Sequence, residues 1–202
     1  MLVSWTMVSF KTKREDVPVR VEKRRFSVHE YHQMAEASIL SEDDRVELIE
    51  GEILTMSPIG SRHAACVGRL NRLLNRLSGV DALVRVQDPI RLDSYSEPEP
   101  DVTLVKPRDD FYSREHPGSG DVLLLIEVAD TSVERDLDVK LPLYARASIP
   151  ETWLVNLPAE TIEVHSRPDS GEYRETVRVK RGETVASRTI PGLEVAADDI
   201  LG

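Results

Sequence analysis

The sequence predicts one α/β or α+β domain, built around a central mixed β-sheet with helices on its faces. Segments with apolar residues at helical spacing alternate with short β-like stretches along the chain. One of those stretches, Val122 to Val128, is almost wholly apolar, which is typical of a strand covered on both faces. The length fits as well, because 202 residues suffice to bury one full core.

The first elements are a capped helix and a hairpin. Ser27, with Glu30 three residues later, has the pattern of a capping box, so we expect a helix over about 27–37. Residues 45–56 then read as two strands joined by a tight turn. Gly51 supplies the positive φ that this turn requires.

Residues 62–77 form a clear amphipathic helix. One face carries apolar side chains, and another carries only basic charge because the segment contains no acidic residue. Such a basic face contacts backbone phosphates without reading sequence. Alternatively it is solvated, or ion-paired with an acidic surface of the same protein. The apolar face holds Cys66, Leu70, Leu73, Leu74 and Leu77, and the basic face holds Arg62, Arg69, Arg72 and Arg76.

The rest of the chain alternates strands with one further helix. Charge, proline and glycine in residues 106–121 indicate a loop that is able to close over a site. Proline is tolerated in the first turn of a helix, so Pro142 places the N-cap at Asp138 and Lys140 in that turn. The expected strands are 82–92, 101–105, 122–128, 152–155, 161–165, 173–179 and a short one near Val185, and the expected helix is 138–147.

Composition indicates a soluble globular protein, with 40% hydrophobic and 31% charged residues. The net charge of −10 means that the surface as a whole does not attract nucleic acid. A local strip of basic residues is nevertheless able to bind it. Cys66 is the single cysteine, which excludes an internal disulfide and a multi-cysteine zinc site and fits a reducing compartment.

The start of the chain differs from the remainder. Residues 1–25 are rich in lysine and arginine without periodicity, so we predict a flexible basic tail before a single domain at 26–202. The tail is either a solvated start or an arm that touches a polyanion. Residues 1–10 lack the features of a signal peptide, and Lys11 follows too soon for a membrane span. We therefore expect a cytoplasmic protein with no membrane segment.

Three charged residues stand where charge is unusual. Asp101 opens a strand, Glu127 ends the apolar one, and Lys140 lies on or near the inward stripe of a helix. Two carboxylates at neighbouring strand ends are able to hold a hard divalent ion such as Mg²⁺, and a nearby ammonium steadies a phosphate. These are the functional groups that metal-assisted phosphodiester hydrolysis requires. A plain buried ion pair, or a strand-end charge reaching water, explains the same residues.

Other polar residues are expected around this group. Glu47 interrupts a strand of the hairpin, so it is either a further carboxylate of the cluster or the polar half of an alternating strand. Gln87 either hydrogen-bonds a ligand or is structural, and His63 either meets a phosphate or is a surface histidine. Glu97 and Glu99 read as solvated loop charges.

Six short motifs are specific as a set, although each is weak alone. They are Arg45-Val-Glu-Leu-Ile-Glu-Gly-Glu52, Ser57-Pro58 before His63, Pro100-Asp101, Glu127-Val-Ala-Asp-Thr-Ser132, Asp136-Leu-Asp-Val-Lys140-Leu-Pro-Leu-Tyr-Ala145 and Ile149-Pro150-Glu151-Thr-Trp153-Leu-Val-Asn156. Together these motifs resemble the Uma2 family of restriction-endonuclease-like proteins, and the resemblance covers about residues 26–166.

The resemblance implies a restriction-endonuclease-like core of the PD-(D/E)xK superfamily, with Mg²⁺ or Mn²⁺ as cofactor, DNA as substrate and a homodimer as the common assembly. It implies that Asp101 and Glu127, with the Val128 carbonyl, bind the metal. Lys140 would be the catalytic lysine, because Ala129 stands where that superfamily usually has one. Glu47 would be the additional acidic residue.

The function that follows is hydrolysis of phosphodiester bonds in DNA by a metal-dependent endonuclease. The expected nucleic-acid contacts are Arg62, His63, Arg69, Arg72 and Gln87. The alternative is a catalytically inactive nuclease-fold module that binds protein or nucleic acid. A carboxylate-pair glycosidase is a weaker reading, since only 5% of residues are aromatic and no sugar-binding platform is evident.

Overall fold

The computed structural model describes residues 23–41, 43–79 and 81–202 of the chain. The predicted basic tail therefore lies outside the described residues, apart from its last three positions. Those three are exposed and touch the rest of the protein, since Lys23 is 3.0 Å from Glu52 and the Arg25 Nε donates to the Glu50 carbonyl.

The elements follow one another in nearly the predicted order. Five α-helices and ten strands lie in the described part of the chain, as follows. They are α1 (Val28–Glu36), β1 (Val46–Ile49), β2 (Glu52–Thr55), α2 (Ser61–Leu77), β3 (Leu83–Val86), β4 (Val102–Val105), β5 (Val122–Ala129), α3 (Val133–Arg135), α4 (Leu141–Arg146), β6 (Glu151–Asn156), β7 (Thr161–Asp169), β8 (Glu172–Lys180), β9 (Thr184–Ala186), β10 (Glu194–Ala196) and α5 (Ala197–Leu201).

A six-stranded mixed sheet forms the centre of the domain, in the spatial order β3-β4-β5-β6-β7-β8. Strands β5 and β6 are parallel, and every other neighbouring pair in this sheet is antiparallel. A parallel pair requires a crossover connection, which here is the helical segment 133–146. The prediction of a mixed central sheet with flanking helices is confirmed.

Strand β5 is buried on both faces, as its apolar sequence predicts. Leu124 and Ile126 join the larger hydrophobic cluster, together with apolar residues of α2. Leu125 points to the opposite face and joins a second cluster that includes Tyr144 of α4. Helices α2 and α4 therefore cover opposite faces of the sheet, and Glu127 shares its face with Leu125.

The predicted capping box and hairpin are confirmed. Glu30 N–H donates to the Ser27 hydroxyl, and the Glu30 carboxylate accepts from Ser27 N–H. Strands β1 and β2 are joined at Glu50 and Gly51, with φ values of 51° and 82°. A Cβ on Gly51 would lie 2.6 Å from the Cβ of Arg25, so space as well as φ requires glycine there.

The predicted strand over 82–92 is wrong in its second half. Strand β3 ends at Val86, because Gln87 adopts a positive φ of 52° and breaks the extended backbone. Pro89, two residues later, has no N–H to donate to a neighbouring strand. The chain then continues as loop to Asp101, which directly precedes β4.

The helix predicted to begin at Asp138 begins earlier. Helical backbone starts at Val133, passes through a π-helical turn over Asp136–Lys140 and continues as α4. The wider turn accommodates Pro142, which lacks the N–H of a regular helix and would crowd the carbonyl four residues before it. The prediction that Lys140 lies in the first turn of a helix is therefore wrong, and the amide dipoles of a free helix N-terminus do not add to its positive charge.

The C-terminal end contains two short elements, β10 and α5, that the sequence pattern does not reveal. Strand β10 pairs with β9 in a separate two-stranded sheet. Helix α5 is held by Arg69 of α2. The Arg69 Nε donates to the Ile200 carbonyl and its Nη2 to the Leu201 carbonyl, each at 2.8 Å. No helix in the described ranges combines the length and the apolarity needed to cross a membrane.

Candidate active site

A cavity of about 140 Å³ lies where β4 begins and β5 ends. Its walls come from the hairpin, the start of α2, the loop before β4, the end of β5 and the π-helical turn. Carboxylates outnumber permanent cations in the lining, so the cavity favours a positively charged ligand. The carboxylates are Glu47, Glu99, Asp101, Glu127, Asp130 and Asp136, and the permanent cations are Arg45 and Lys140.

Asp101 is held by one of its two carboxylate oxygens. Its Oδ2 accepts a hydrogen bond from the Val128 N–H at 2.9 Å and lies 3.0 Å from Nε2 of His63. The Oδ1 meets only the Gln87 amide, at a long 3.4 Å. The hydrogen bond to Asp101 raises the pKa of His63 despite its partial burial. His63 is therefore a partner of Asp101 rather than a free surface histidine.

Glu127 is also held by one oxygen. Its Oε1 accepts from the Lys140 ammonium at 3.1 Å and from the Tyr144 hydroxyl at 2.5 Å. Among the described residues, no donor reaches its Oε2. Glu127 is 4% exposed and lines the cavity, and its Oε2 is not one of the fully buried side-chain atoms that lack a partner, so this oxygen is accessible from the cavity.

Lys140 lies between two carboxylates. Its ammonium is 3.1 Å from Glu127 Oε1 and 3.2 Å from Glu47 Oε2, and all three side chains are buried. The Glu47 carboxylate also accepts from the Glu99 N–H at 3.3 Å. Glu47 is therefore a buried member of this charged cluster and not a solvent-facing residue of an alternating strand, and its role in the site stays a prediction.

The protonation of this group is set by burial and by charge. Burial raises the pKa of Glu127 to about 8, against the opposing attraction of the Lys140 ammonium. Burial also acts to lower the pKa of Lys140, but the negative charges of Glu127 and Glu47 outweigh it and the pKa rises. A second cation beside Glu127 would restore its ionised form.

The Val128 carbonyl lies on the same side of β5 as Asp101. In an extended strand the N–H and C=O of one residue point to the same neighbour, and the Val128 N–H points to Asp101. The next carbonyl, of Ala129, points the other way and accepts from the Leu157 N–H. Backbone and side-chain oxygens therefore converge at this end of β5.

These oxygens fit a small, hard divalent ion. Asp101 Oδ1 and Glu127 Oε2 are weakly engaged or unengaged, and the Val128 carbonyl adds a third oxygen. Within the described chain, no three histidine, cysteine, aspartate or glutamate side chains are grouped closely enough to hold an ion by themselves. Mg²⁺ suits such a site, because it usually takes one or two carboxylates and completes its shell with water.

The structure adds site residues that the sequence pattern did not reveal. Asp136 is 5% exposed, lines the cavity and accepts from the Ser132 hydroxyl at 2.7 Å, and burial raises its pKa. It lies four residues before Lys140, a spacing that places both on one helical face, but the helix was expected to begin after it. Tyr144, four residues after Lys140, joins the cluster through the hydrogen bond from its hydroxyl to Glu127.

The prediction that Glu97 and Glu99 are solvated is wrong. Glu97 is 4% exposed and its carboxylate contacts His32 Nε2 at 2.5 Å. Glu99 is half-buried in the cavity wall, and burial raises its pKa. Prolines on either side hold this loop extended and direct the two carboxylates inward rather than to solvent.

The arginines of α2 have different surroundings. Arg62 is exposed, 3.5 Å from Asp130 at the cavity edge, and its Nη2 donates to the Leu157 carbonyl. Arg69 is committed to the C-terminal carbonyls described above. Arg72 and Arg76 are exposed along the same helix. The basic face is therefore partly structural, and contact with nucleic acid stays a prediction for its members.

Comparison with known proteins agrees with the fold and with the motifs. The chain matches, over residues 28–198, the family model named Uma2 and described as "Putative restriction endonuclease". A solved structure from Anabaena variabilis ATCC 29413, described as "a putative nuclease belonging to DUF820", is similar with a TM-score of 0.63. Its identity is 16%, and the match covers 82% of this chain and 95% of that one. No curated protein matches significantly. The resemblance carried by the sequence motifs is confirmed, and the chain belongs to the Uma2 family.

Proposed function

We propose that this protein is a Mg²⁺- or Mn²⁺-dependent endonuclease that hydrolyses phosphodiester bonds in DNA. The observation that carries the proposal is the convergence of Asp101, Glu127 and Lys140, from three separate segments, on one electronegative cavity. The family to which the chain belongs and the nuclease described above supply the reaction class.

The oxygens of Asp101, Glu127 and the Val128 carbonyl would hold the ion. When bound, the ion supplies positive charge that polarises a phosphate and makes a nearby water more acidic. Such an ion also compensates the excess of carboxylates, which would otherwise repel the DNA backbone. Binding of DNA is therefore expected to require the divalent ion as well.

Lys140 supplies the fixed positive charge of the protein itself. An ammonium has three N–H donors, and the described contacts engage it with two carboxylates, at Glu127 and Glu47. The remaining donor is free to stabilise negative charge on a phosphate oxygen as the bond breaks. Glu47 holds the lysine in place, which is the role we assign to this additional acidic residue.

The remaining expectations concern binding and assembly. Arg62, His63, Arg69, Arg72 and Gln87 stay predicted contacts for DNA. Arg69 also holds the C-terminal carbonyls, and His63 and Gln87 also contact Asp101. The cytoplasmic location and the homodimer also stay predictions. Gel filtration with light scattering would establish the number of subunits directly.

The test is cleavage of supercoiled plasmid and of branched DNA with Mg²⁺ or Mn²⁺, compared with the same reactions in EDTA. Asp101→Ala and Lys140→Ala are expected to abolish cleavage that the wild type shows. Asp109→Ala and Lys180→Ala are matched controls, because both remove the same charge from exposed positions outside the cavity wall. Equal nicking by all five proteins would identify a contaminant and overturn the proposal.

A further inference from the structure

The two carboxylates proposed to bind the ion, those of Asp101 and Glu127, are held in the same way. Each is fixed by one oxygen and leaves the other toward the cavity, and in each case the fixed oxygen has two partners. For Asp101 those partners are a histidine and a backbone N–H. For Glu127 they are Lys140 and Tyr144. Lys140 has a part in the reaction, whereas the proposed function leaves Tyr144 without one.

Tyr144 is placed rigidly. It is fully buried at 0% exposure and packs in the hydrophobic cluster that includes Leu125 and Ile149. Leu125 lies on the face of β5 that carries Glu127, and Ile149 lies in the connection before β6, so the ring is packed beside that carboxylate. Its hydroxyl reaches Glu127 Oε1 at 2.5 Å, a short contact typical of a hydroxyl donating to a carboxylate.

The hydroxyl acts as a donor at this position. The oxygen that it contacts is a carboxylate oxygen that also accepts from the Lys140 ammonium, so the phenol O–H donates to it. With Tyr144 and Lys140 both bound to Oε1, the carboxylate plane of Glu127 has a defined orientation. Without the phenol, the carboxylate is free to turn and offer either oxygen to the lysine, which shares the same buried space.

We propose that Tyr144 is a positioning residue that orients Glu127 so that Oε2 faces a divalent ion. The proposal rests on the proposed function, because the ion is the cofactor inferred there. Hydrogen-bonded partners of metal ligands typically change affinity for the metal by about 10- to 100-fold when removed. A loss of that size is expected for Tyr144.

The simpler explanation is that the hydroxyl only satisfies a buried carboxylate for stability. Tyr173 provides the control, because it is a partly buried tyrosine that packs against the same hydrophobic cluster and whose hydroxyl also makes two hydrogen bonds. It donates to the Ile149 carbonyl at 3.0 Å and lies 2.8 Å from the Thr152 hydroxyl, outside the cavity wall. Tyr144→Phe and Tyr173→Phe remove the same atom, in one case beside Glu127 and in the other away from it.

The experiment is titration calorimetry of the full chain with MgCl₂ and MnCl₂, using wild type and the two variants. Folded fractions are checked by near-UV circular dichroism. We expect Tyr144→Phe to weaken binding about 10- to 100-fold and Tyr173→Phe to change it by less than about twofold. Tyr144→Leu serves as a second variant and is expected to lose at least as much affinity as Tyr144→Phe.

Three results would overturn the proposal, and they are distinguishable. Wild-type affinity in a folded Tyr144→Phe protein would show that the hydroxyl is only structural, while the proposed function stands. Absence of Mg²⁺ and Mn²⁺ binding by the wild type would remove the metal site itself, and the proposed function with it. Equal weakening by both variants would also count against a specific role for Tyr144.

Discussion

Two buried glutamates on the adjacent parallel strands β5 and β6 have opposite surroundings. Glu151, at the start of β6, is 0% exposed, and both of its oxygens accept hydrogen bonds. Trp153 Nε1 donates to Oε1 at 2.6 Å. The Oε2 is surrounded by backbone N–H groups and hydroxyls of residues 187–189, at 2.8 to 3.0 Å. This carboxylate is satisfied by neutral donors.

Glu127, on β5, has two donors on one oxygen and none among the described residues on the other. One of its donors is a cation that it shares with Glu47. Burial alone therefore does not distinguish a functional carboxylate from a structural one. The difference lies in how many oxygens remain for a ligand, since both oxygens of Glu151 are engaged whereas only Oε1 of Glu127 is.

The largest expected effect is on catalysis by Glu127→Gln. The neutral amide no longer attracts a divalent ion, so we expect Mg²⁺-dependent cleavage to fall by roughly three orders of magnitude, about 4 kcal/mol in the barrier. Single-turnover cleavage of labelled DNA measures the rate. A rate within threefold of wild type would remove the distinction between the two glutamates.

The next effect is on stability, by Glu151→Gln. The amide NH₂ would face groups that are themselves donors, so we expect the free energy of unfolding to fall by about 3 kcal/mol. Urea denaturation measures the loss. Cleavage per folded molecule should match wild type, and a selective loss of cleavage would place Glu151 in the reaction.

A single donor to Glu151 should matter less. Thr189→Val removes a hydroxyl that lies 2.9 Å from Glu151 Oε2 and 2.7 Å from the Leu123 carbonyl. We expect a cost of about 1 kcal/mol in the free energy of unfolding. Thr184→Val, at an exposed position of β9, is the control and should change stability by less than about 0.5 kcal/mol. Equal effects would mean that the Glu151 network carries little stability.

A further comparison concerns pH dependence rather than stability at one pH. Because burial raises the pKa of Glu127 from 4.5 to about 8 without a metal, the folded state favours the protonated form. Its contribution to stability is therefore complete below about pH 4.5 and is lost as the pH rises through about 8. Unfolding in EDTA from pH 5 to 9 should show this slope in wild type and a smaller one in Glu127→Gln. Parallel curves would contradict the raised pKa.

The sequence predicts what depends on local pattern. The capping box at Ser27, the hairpin turn at Gly51 and the apolar run of β5 each have a short-range signal, and the structure confirms them. Asp101, Glu127 and Lys140 are identifiable as candidate site residues because each is a charged side chain at a position where the pattern predicts an apolar or strand-end residue. Their common cavity follows from the pairing of β4 with β5.

The partners of these residues were not predictable in the same way. Glu47 meets Lys140, and His63 meets Asp101, across long stretches of chain that only the tertiary fold brings together. Glu99 was expected in solvent because the sequence of a loop does not indicate which of its side chains other segments of the chain cover. Helix α5 was missed because it has one turn and is fixed by Arg69 rather than by its own periodicity.

The π-helical turn over Asp136–Lys140 sets the rotational phase of two helical stretches. A π turn contains about one residue more than an α turn, and each residue of an α-helix advances the side chains by about 100°. Forcing the same residues into a regular α-helix, with none deleted, would turn everything before this turn by about that angle relative to Tyr144. Asp136 and Ser132 would then leave the cavity, while the core contacts of α4 remained. The length of this one turn therefore controls which side chains meet at the end of β5.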